Sequence, residues 1–564
     1  MGIDPIRPPT PPVKPSVAAP VPPAPPQPPE ERRTWFKDAR RPLGAWDRGK
    51  PPLPVTGNRV TVYLEVMDYY MALGQAIRAT RQSLADFVYI AGWGLDLATF
   101  VDRPGTSPRQ TIGELLQQAV QRKVDVRAIL PSQPAEGQAA SLAKLASFGA
   151  GAILDPYLKL LGTHHQKFVV IRNAEGICAF CGCDDIDNIR LGRDSVPAGQ
   201  QPSGAQLSAA WHDPQVKIQG PAAADLWNSF VQRFKEVAAG FRAAEVGRLL
   251  MPLGALRPGI TAYPPLSLHE PDQAASQTDQ SGLDIQVVRT YPNKAKKLLG
   301  DELVAQPGYM FAPNGEMGIY SLLVDALDKT TRTIYLEDQY LVNTLPMAGN
   351  PPITDAIRRA IERPSFQKMI ILVAGTGTVQ VELLQAGTRR ADFIRQLGPT
   401  AASKVSTYVY RADANSPYWL HSKLWIFDDQ FAVIGSANCN RRGYSHDSEL
   451  NVGIADPERR TGGKHFAHRL RMDLWLKHLN GQPAGAGNTK AGRLGDRDVL
   501  DFVAASPLWD KAPLLIKTDF TASPEPDLPL TKRIVDARFP RAARLYGVLS
   551  SRELDWSFVD PNGA

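Results

Sequence analysis

Residues 165–172 read HQKFVVIR and residues 421–428 read HSKLWIFD. Each run opens with His-x-Lys and passes into four apolar residues, Phe168-Val169-Val170-Ile171 in one and Leu424-Trp425-Ile426-Phe427 in the other. A short continuous apolar run of this kind reads as a strand buried on both faces. In extended chain, alternate side chains share a face, so His165 lies on the side of Lys167 and His421 on the side of Lys423. The residues trailing each run also correspond. Gly435-Ser436-Ala437-Asn438 and Asp447-Ser448-Glu449 come after the second, and Gly182-Cys183-Asp184-Asp185 and Trp211-His212-Asp213 after the first. One His-x-Lys alone is common by chance. Two copies, each at the head of a buried strand and each trailed by a small-residue turn and an acid, point to a duplicated site.

The flanking sequence repeats the same order. Tyr69-Tyr70-Met71-Ala72-Leu73 opens a helix-like stretch, 87–93 (FVYIAGW) a strand, 111–123 (TIGELLQQAVQRK) a helix and 124–130 (VDVRAIL) a strand. Later, 318–327 (GIYSLLVDAL) is helical, 334–341 (IYLEDQYL) a strand, 353–361 (ITDAIRRAI) helical and 369–373 (MIILV) a strand. Alternating helices and strands predict an α/β fold, duplicated with a period of about 250 residues. The expected division is a Pro-rich disordered segment over 1–57, a first lobe over 58–245, a linker over 246–283, a second lobe over 284–485 and a C-terminal tail of unassigned role over 486–564. The first thirty residues hold 13 of the 49 prolines, which suits an extended tether and not a core.

Composition narrows the class. The 564 residues carry a net charge of +7, a mild tilt toward anionic partners. Four cysteines, Cys178, Cys181, Cys183 and Cys439, are too few for a disulfide scaffold, and the first three lack a fourth ligand at metal-knuckle spacing, so buried thiols are expected. No apolar run reaches the roughly 18 residues of a membrane helix, and no signal-peptide core opens the chain. The expectation is a chain made in the cytoplasm without a transmembrane segment.

The residue types suit phosphodiester chemistry. Two lysines can stabilise non-bridging oxygens, a neutral imidazole can attack phosphorus, and a protonated one can supply the leaving oxygen's proton and later activate water. A carboxylate behind each histidine would fix its tautomer, and Asp213 and Glu449 stand in place for this. Ser436 and Asn438 are neutral donors able to contact phosphate.

These motifs, with AGWGLD (91–96), IYLEDQY (334–340) and LRMDLWLKHL (470–479), resemble the signatures of the phospholipase D superfamily over residues 58–480. The resemblance implies a two-lobed duplicated α/β/α sandwich with mixed central sheets and one site at the lobe interface. It implies catalytic roles for His165, Lys167, His421 and Lys423, histidine-orienting roles for Asp213 and Glu449, and phosphate contacts from Asn438, Ser436 and Asp185. His165 is expected as nucleophile with Asp213 behind it, and His421 as acid and base with Glu449 behind it. Arg172 stands where the motif usually closes in Asp; five residues from Lys167, it is expected to be structural. The HHQK and EDQY segments are similar to the phospholipase branch, which implies a phospholipid substrate at a membrane surface, no dedicated nucleic-acid partner, no cofactor or metal, and a monomer. Lipid synthases, nucleases and non-catalytic relatives are the alternatives. A Pro-rich start without a signal peptide is also compatible with specialised export, as in type VI secretion effectors of this superfamily.

Overall fold

The computed structural model describes residues 35–36, 52–83, 85–131, 138–155, 157, 163–192, 210–240, 282–292, 295–299, 302–306, 309–313, 315–344, 351–375, 386–410, 418–456, 465–481 and 493–520. The expected linker, 246–283, lies almost wholly outside them.

The first repeat runs β1 (Val55–Tyr63), α1 (Val66–Arg78), β2 (Phe87–Ala91), α2 (Ile112–Gln121), β3 (Asp125–Pro131), α3 (Gln138–Ser147), β4 (Gly151–Asp155), β5 (Phe168–Asn173), β6 (Gly176–Gly182), β7 (Ala210–His212), β8 (Gln215–Gln219) and α4 (Ala222–Gly240). The second runs β9 (Leu283–Tyr291), β10 (Ala295–Leu299), β11 (Glu302–Gln306), β12 (Glu316–Met317), α5 (Gly318–Lys329), β13 (Thr333–Asp338), α6 (Ile353–Ile361), β14 (Lys368–Val373), α7 (Ala386–Gln396), α8 (Ala401–Lys404), β15 (Val405–Tyr410), β16 (Tyr418–Leu420), β17 (Lys423–Phe427), β18 (Phe431–Gly435), β19 (Glu449–Ala455) and α9 (Phe466–Leu479).

Both repeats join one 16-stranded mixed sheet in the order β20-β15-β14-β13-β17-β18-β19-β9-β1-β8-β6-β5-β2-β3-β4, where β20 is Leu515–Lys517 and β12 pairs with β9 off this path. Outward from the β9–β1 pair at its centre, the two halves are the same sheet: β1-β8-β6-β5-β2-β3-β4 on one side and β9-β19-β18-β17-β13-β14-β15 on the other. Directions agree as well. The pairs up to β5–β2 and β17–β13 are antiparallel, and the outer pairs are parallel. The duplication is therefore a property of the fold and not only of the motifs.

Strands β2, β4, β17 and β18 are buried at every residue, so both sheet faces are covered. In the first repeat α1 packs on α2 and α2 on α3, while α4 lies against β2, β4, β5, β6 and β8; in the second, α5, α6 and α7 pack in series and α9 lies on β17, β18 and β19. Local sequence fixes the helix starts where it can. Thr111 and Glu114 form a reciprocal capping box at α2, a motif whose cap is worth about 1 kcal/mol.

Two boundaries differ from expectation. β1 begins at Val55, inside the segment expected to be disordered, and Trp35 in that segment is buried, stacked on Phe431 at 5.6 Å. The expected tail contributes α10 (Phe502–Ala505) and β20, which pairs antiparallel with β15 and closes that edge of the sheet. Trp509 is buried against Tyr335, Tyr408 and Trp475. Few apolar residues at irregular spacing build this cap, which is why no periodicity announced it. All four cysteines are buried and unpaired, and burial pushes the Cys178 thiol up to about 12.

Candidate active site

The two His-x-Lys motifs meet where the repeats cross. β7 of the first repeat pairs in parallel with β16 of the second, with Trp211 opposite Trp419 and His212 opposite Leu420. The His421 amide then donates to the His212 carbonyl at 3.1 Å. On the symmetry-related side, His164 bridges Ser448 in parallel, and the His165 amide donates to the Ser448 carbonyl at 2.8 Å. Neighbouring strands lie about 4.8 Å apart, so the residues one step beyond each bridge are side by side. Those residues are Asp213 with His421, and Glu449 with His165.

The acids are accordingly crossed between repeats, opposite to the expected pairing within each. His421 Nδ1 lies 2.6 Å from Asp213 Oδ1, and His165 Nδ1 lies 3.0 and 3.2 Å from the Glu449 oxygens. Fixing Nδ1 leaves Nε2 of each ring as the nitrogen available to substrate. Burial, then Lys167 and Lys423, hold His165 well below the usual imidazole range. Burial, then Lys423 and Arg190, do the same for His421. Burial and Asp447 raise Glu449 well above the carboxylate range, whereas Asp213 is salt-bridged to Arg190 at 2.9 Å. The two dyads are alike in geometry and differ in the groups that hold the acid: an arginine at Asp213, a serine hydroxyl at Glu449.

The lysines also differ. Lys423 Nζ contacts Gln339 Oε1 at 3.3 Å, and burial pushes it down to about 8. Lys167 Nζ lies 2.8 Å from Asp185 Oδ2. Asp185, expected as a phosphate contact, is bonded in this structure to Lys167. Its Oδ1 accepts from the amides of Trp93 and Gly94 at 2.8 and 3.2 Å, and Arg190 Nη2 stands 3.4 Å from Oδ2. A carboxylate so placed holds Lys167 and repels an anion. Ser436, also expected at the phosphate, donates its hydroxyl to Glu449 Oε2 and accepts from the Leu450 amide. Asn438 does keep a free valence, for its buried Oδ1 has no hydrogen-bond partner among the described residues. Turned over, the same amide offers NH2 at that place.

Sequence reasoning missed Arg190 and Arg442. Arg190 stacks on Trp211 at 3.7 Å while clamping Asp213, and Arg442 pairs with Asp447 at 3.1 Å. They come after Asp185 and Asn438 at nearly equal intervals, a signal visible once the repeats are aligned.

Arg172 lies far from this centre, at the other end of β5 opposite Phe87. Its counterpart in the second repeat, Asp428, accepts from the amides of Thr331, Arg332 and Thr333 at 2.7–2.8 Å and so closes the loop before β13. In the first repeat Asp86 closes the equivalent loop by accepting from the Arg81 amide and guanidinium at 2.7 Å. The motif's last position is thus a turn lock, and the first repeat supplies it from elsewhere. Arg172→Asp should leave kcat/KM within about tenfold, roughly 1.4 kcal/mol of barrier. Loss of several orders of magnitude with an unchanged melting transition would place Arg172 in the mechanism.

Residues 323–470, from α5 into α9, match the family described as "Cardiolipin synthase, PLD-like domain". Over those residues the chain is similar to a phospholipase D-like domain. That stretch holds His421, Lys423, Asn438 and Glu449, and the sheet order relates the first repeat to it. Among similar curated proteins is phospholipase D alpha 3 of Arabidopsis thaliana, 25% identical over 410 residues, 56% of this chain and 48% of that one. Phospholipase D gamma 3 of the same plant is 22% identical over 536 residues, 72% of this chain and 60% of that one. The chain spans about half to three-fifths of the length of these phospholipase D relatives. Among solved structures, phosphatidylserine synthase of Haemophilus influenzae Rd KW20 aligns with a TM-score of 0.49 at 12% identity, over 87% of this chain and 96% of that one. Among the described residues, no helix is long and apolar enough to cross a membrane.

Proposed function

We propose that this chain is a phospholipase D-type phosphodiesterase that cleaves glycerophospholipids to phosphatidic acid and a head-group alcohol through a phosphohistidine. The observation that carries this reading is the convergence of two carboxylate-held histidines and two lysines, from both repeats, on one centre. The similarity to plant phospholipases D favours a lipid phosphodiester.

In the first step, His165 Nε2 attacks phosphorus and the bond to the head-group oxygen breaks, with His421 donating a proton to that oxygen. The negative phosphodiester offsets Lys423 and Arg190 and so lets His421 hold its proton once substrate is bound. In the second step, His421 takes a proton from water, the water oxygen bonds to phosphorus, and the P–N bond breaks to release phosphatidic acid. Lys167, Lys423 and Asn438 stabilise the charge on the non-bridging oxygens. An alcohol in place of water gives a transfer product from the same intermediate, which the synthase wording of the matched family favours as a second activity.

The test is turnover of phosphatidylcholine vesicles, with and without ethanol, beside single-stranded DNA and with His421→Ala as control. Phosphatidic acid, replaced partly by phosphatidylethanol when ethanol is present, is the expected product. Cleavage of DNA with intact lipid would overturn the proposal.

A further inference from the structure

Behind the His421 dyad, on the side away from the site, lies a buried carboxylate that the chemistry above does not use. Glu337, on β13, is fully buried. Its Oε2 accepts from the Ser422 hydroxyl at 2.6 Å and from His212 Nε2 at 2.8 Å. Its Oε1 accepts from the Tyr335 hydroxyl at 2.7 Å and from His478 Nε2 at 2.8 Å.

His212, Glu337 and His478 form a group with the residue types of a metal site, their ligand atoms within 4.8 Å of one another. The hydrogen bonds point elsewhere. A carboxylate has about four lone-pair directions, and four protein donors fill them here. Each Nε2 that donates a proton to Glu337 has no lone pair left for an ion. Burial pushes Glu337 up, but His212 and His478 outweigh it and hold it well below the carboxylate range. Burial lowers His212 to about 4, so it stays neutral. The group is a charged acceptor with four donors, not an ion cage.

The donors' positions in the chain show its purpose. Ser422 sits between His421 and Lys423, and His212 immediately precedes Asp213. In extended chain, successive side chains face opposite ways. His421 and Asp213 therefore turn into the site while Ser422 and His212 turn back onto a single oxygen of Glu337. Asp213 and His421 come from different repeats, and one atom behind them is bonded to a chain neighbour of each. We propose that Glu337 is the positioning residue for the His421–Asp213 dyad, acting through Ser422 and His212. The inference rests on the functional reading above and assigns that site a residue of its own.

The other dyad has an independent support of different make. Ser448 Oγ meets His164 Nδ1 at 2.8 Å, and Gln166 Oε1 accepts from Arg233 at 3.2 Å. His164 and Arg233 both end on the buried Asp155, at 3.2 and 2.6 Å. Each dyad thus rests on its own buried acid, and loss of Glu337 should strike the His421 steps alone.

The experiment compares phosphatidylcholine, whose leaving oxygen needs a proton, with phosphatidyl-p-nitrophenol, whose leaving group does not. Glu337→Gln should lower kcat on phosphatidylcholine about a hundredfold at unchanged KM, as a misplaced catalytic group does, while the single-turnover burst of nitrophenol from the nitrophenyl ester, a step that needs no proton from His421, should slow less than about tenfold. Ser422→Ala should show the same selectivity at smaller size, and Ser422→Thr, which keeps the hydroxyl, should restore it. Tyr335→Phe, which touches only Oε1, should stay near wild type. If Glu337→Gln does not fold, the Ser422 pair carries the test. Equal losses on both substrates, or none on phosphatidylcholine, would overturn the proposal while wild-type activity upheld the functional reading. A wild-type chain inactive on both substrates would overturn both.

Discussion

His165→Ala is expected to abolish turnover of every phosphatidyl substrate, by at least about 10⁴-fold, because no covalent intermediate can form without it. His421→Ala should fail differently. With phosphatidylcholine it should also be nearly inactive, since the alkoxide cannot leave unprotonated. With phosphatidyl-p-nitrophenol it should release one equivalent of nitrophenol and then stall, because the second step lacks its base. The stalled protein should carry a phosphatidyl adduct on His165, found by peptide mapping under mildly alkaline conditions that preserve a phosphohistidine. Both rings are held at Nδ1 and present Nε2. An adduct on His421 in the His165→Ala protein would reverse the two roles.

The second large effect tests the crossing. Asp213→Asn should cost about 10³- to 10⁴-fold on phosphatidylcholine, since an amide can turn its NH2 to the ring and select the wrong tautomer. It should do so with the signature of His421→Ala, sparing the first step on the nitrophenyl ester and slowing release of the adduct. Glu449→Gln should instead slow adduct formation on both esters, as befits the acid behind His165. Single-turnover kinetics on the nitrophenyl ester separate the two steps. If the signatures were exchanged, each acid would be serving the histidine of its own repeat, and the 2.6 Å contact of Asp213 with His421 would be irrelevant to catalysis.

Much of this arrangement was legible in the sequence, because its signals are local. Four-residue apolar runs after His-x-Lys gave β5 and β17, and the periodicity of TIGELLQQAVQRK gave α2. The order of elements gave the duplication. The pairing of acids with histidines was not legible, since it depends on a parallel register between segments 208 and 284 residues apart. Nor were the roles of Asp185 and Ser436. Both are side chains able to approach phosphate, and only the positions of Lys167 and Glu449 show that their hydrogen bonds are spent on the protein. Glu337 and Asp155 were silent for another reason. A carboxylate within an apolar strand draws most of its donors from distant stretches of chain, as Glu337 does from His212, Ser422 and His478.

The crossed register also bears on how such a protein can change over generations. Were the two repeats identical separate molecules, a two-fold dimer would be needed to make either dyad, and every substitution would alter both at once. Joined in one chain, the halves inherit substitutions independently. One acid has become Asp with an arginine clamp and the other Glu with a serine, and Cys183 stands where the second repeat has Ser436. In one chain, two unlike dyads can share a centre that neither half could build alone.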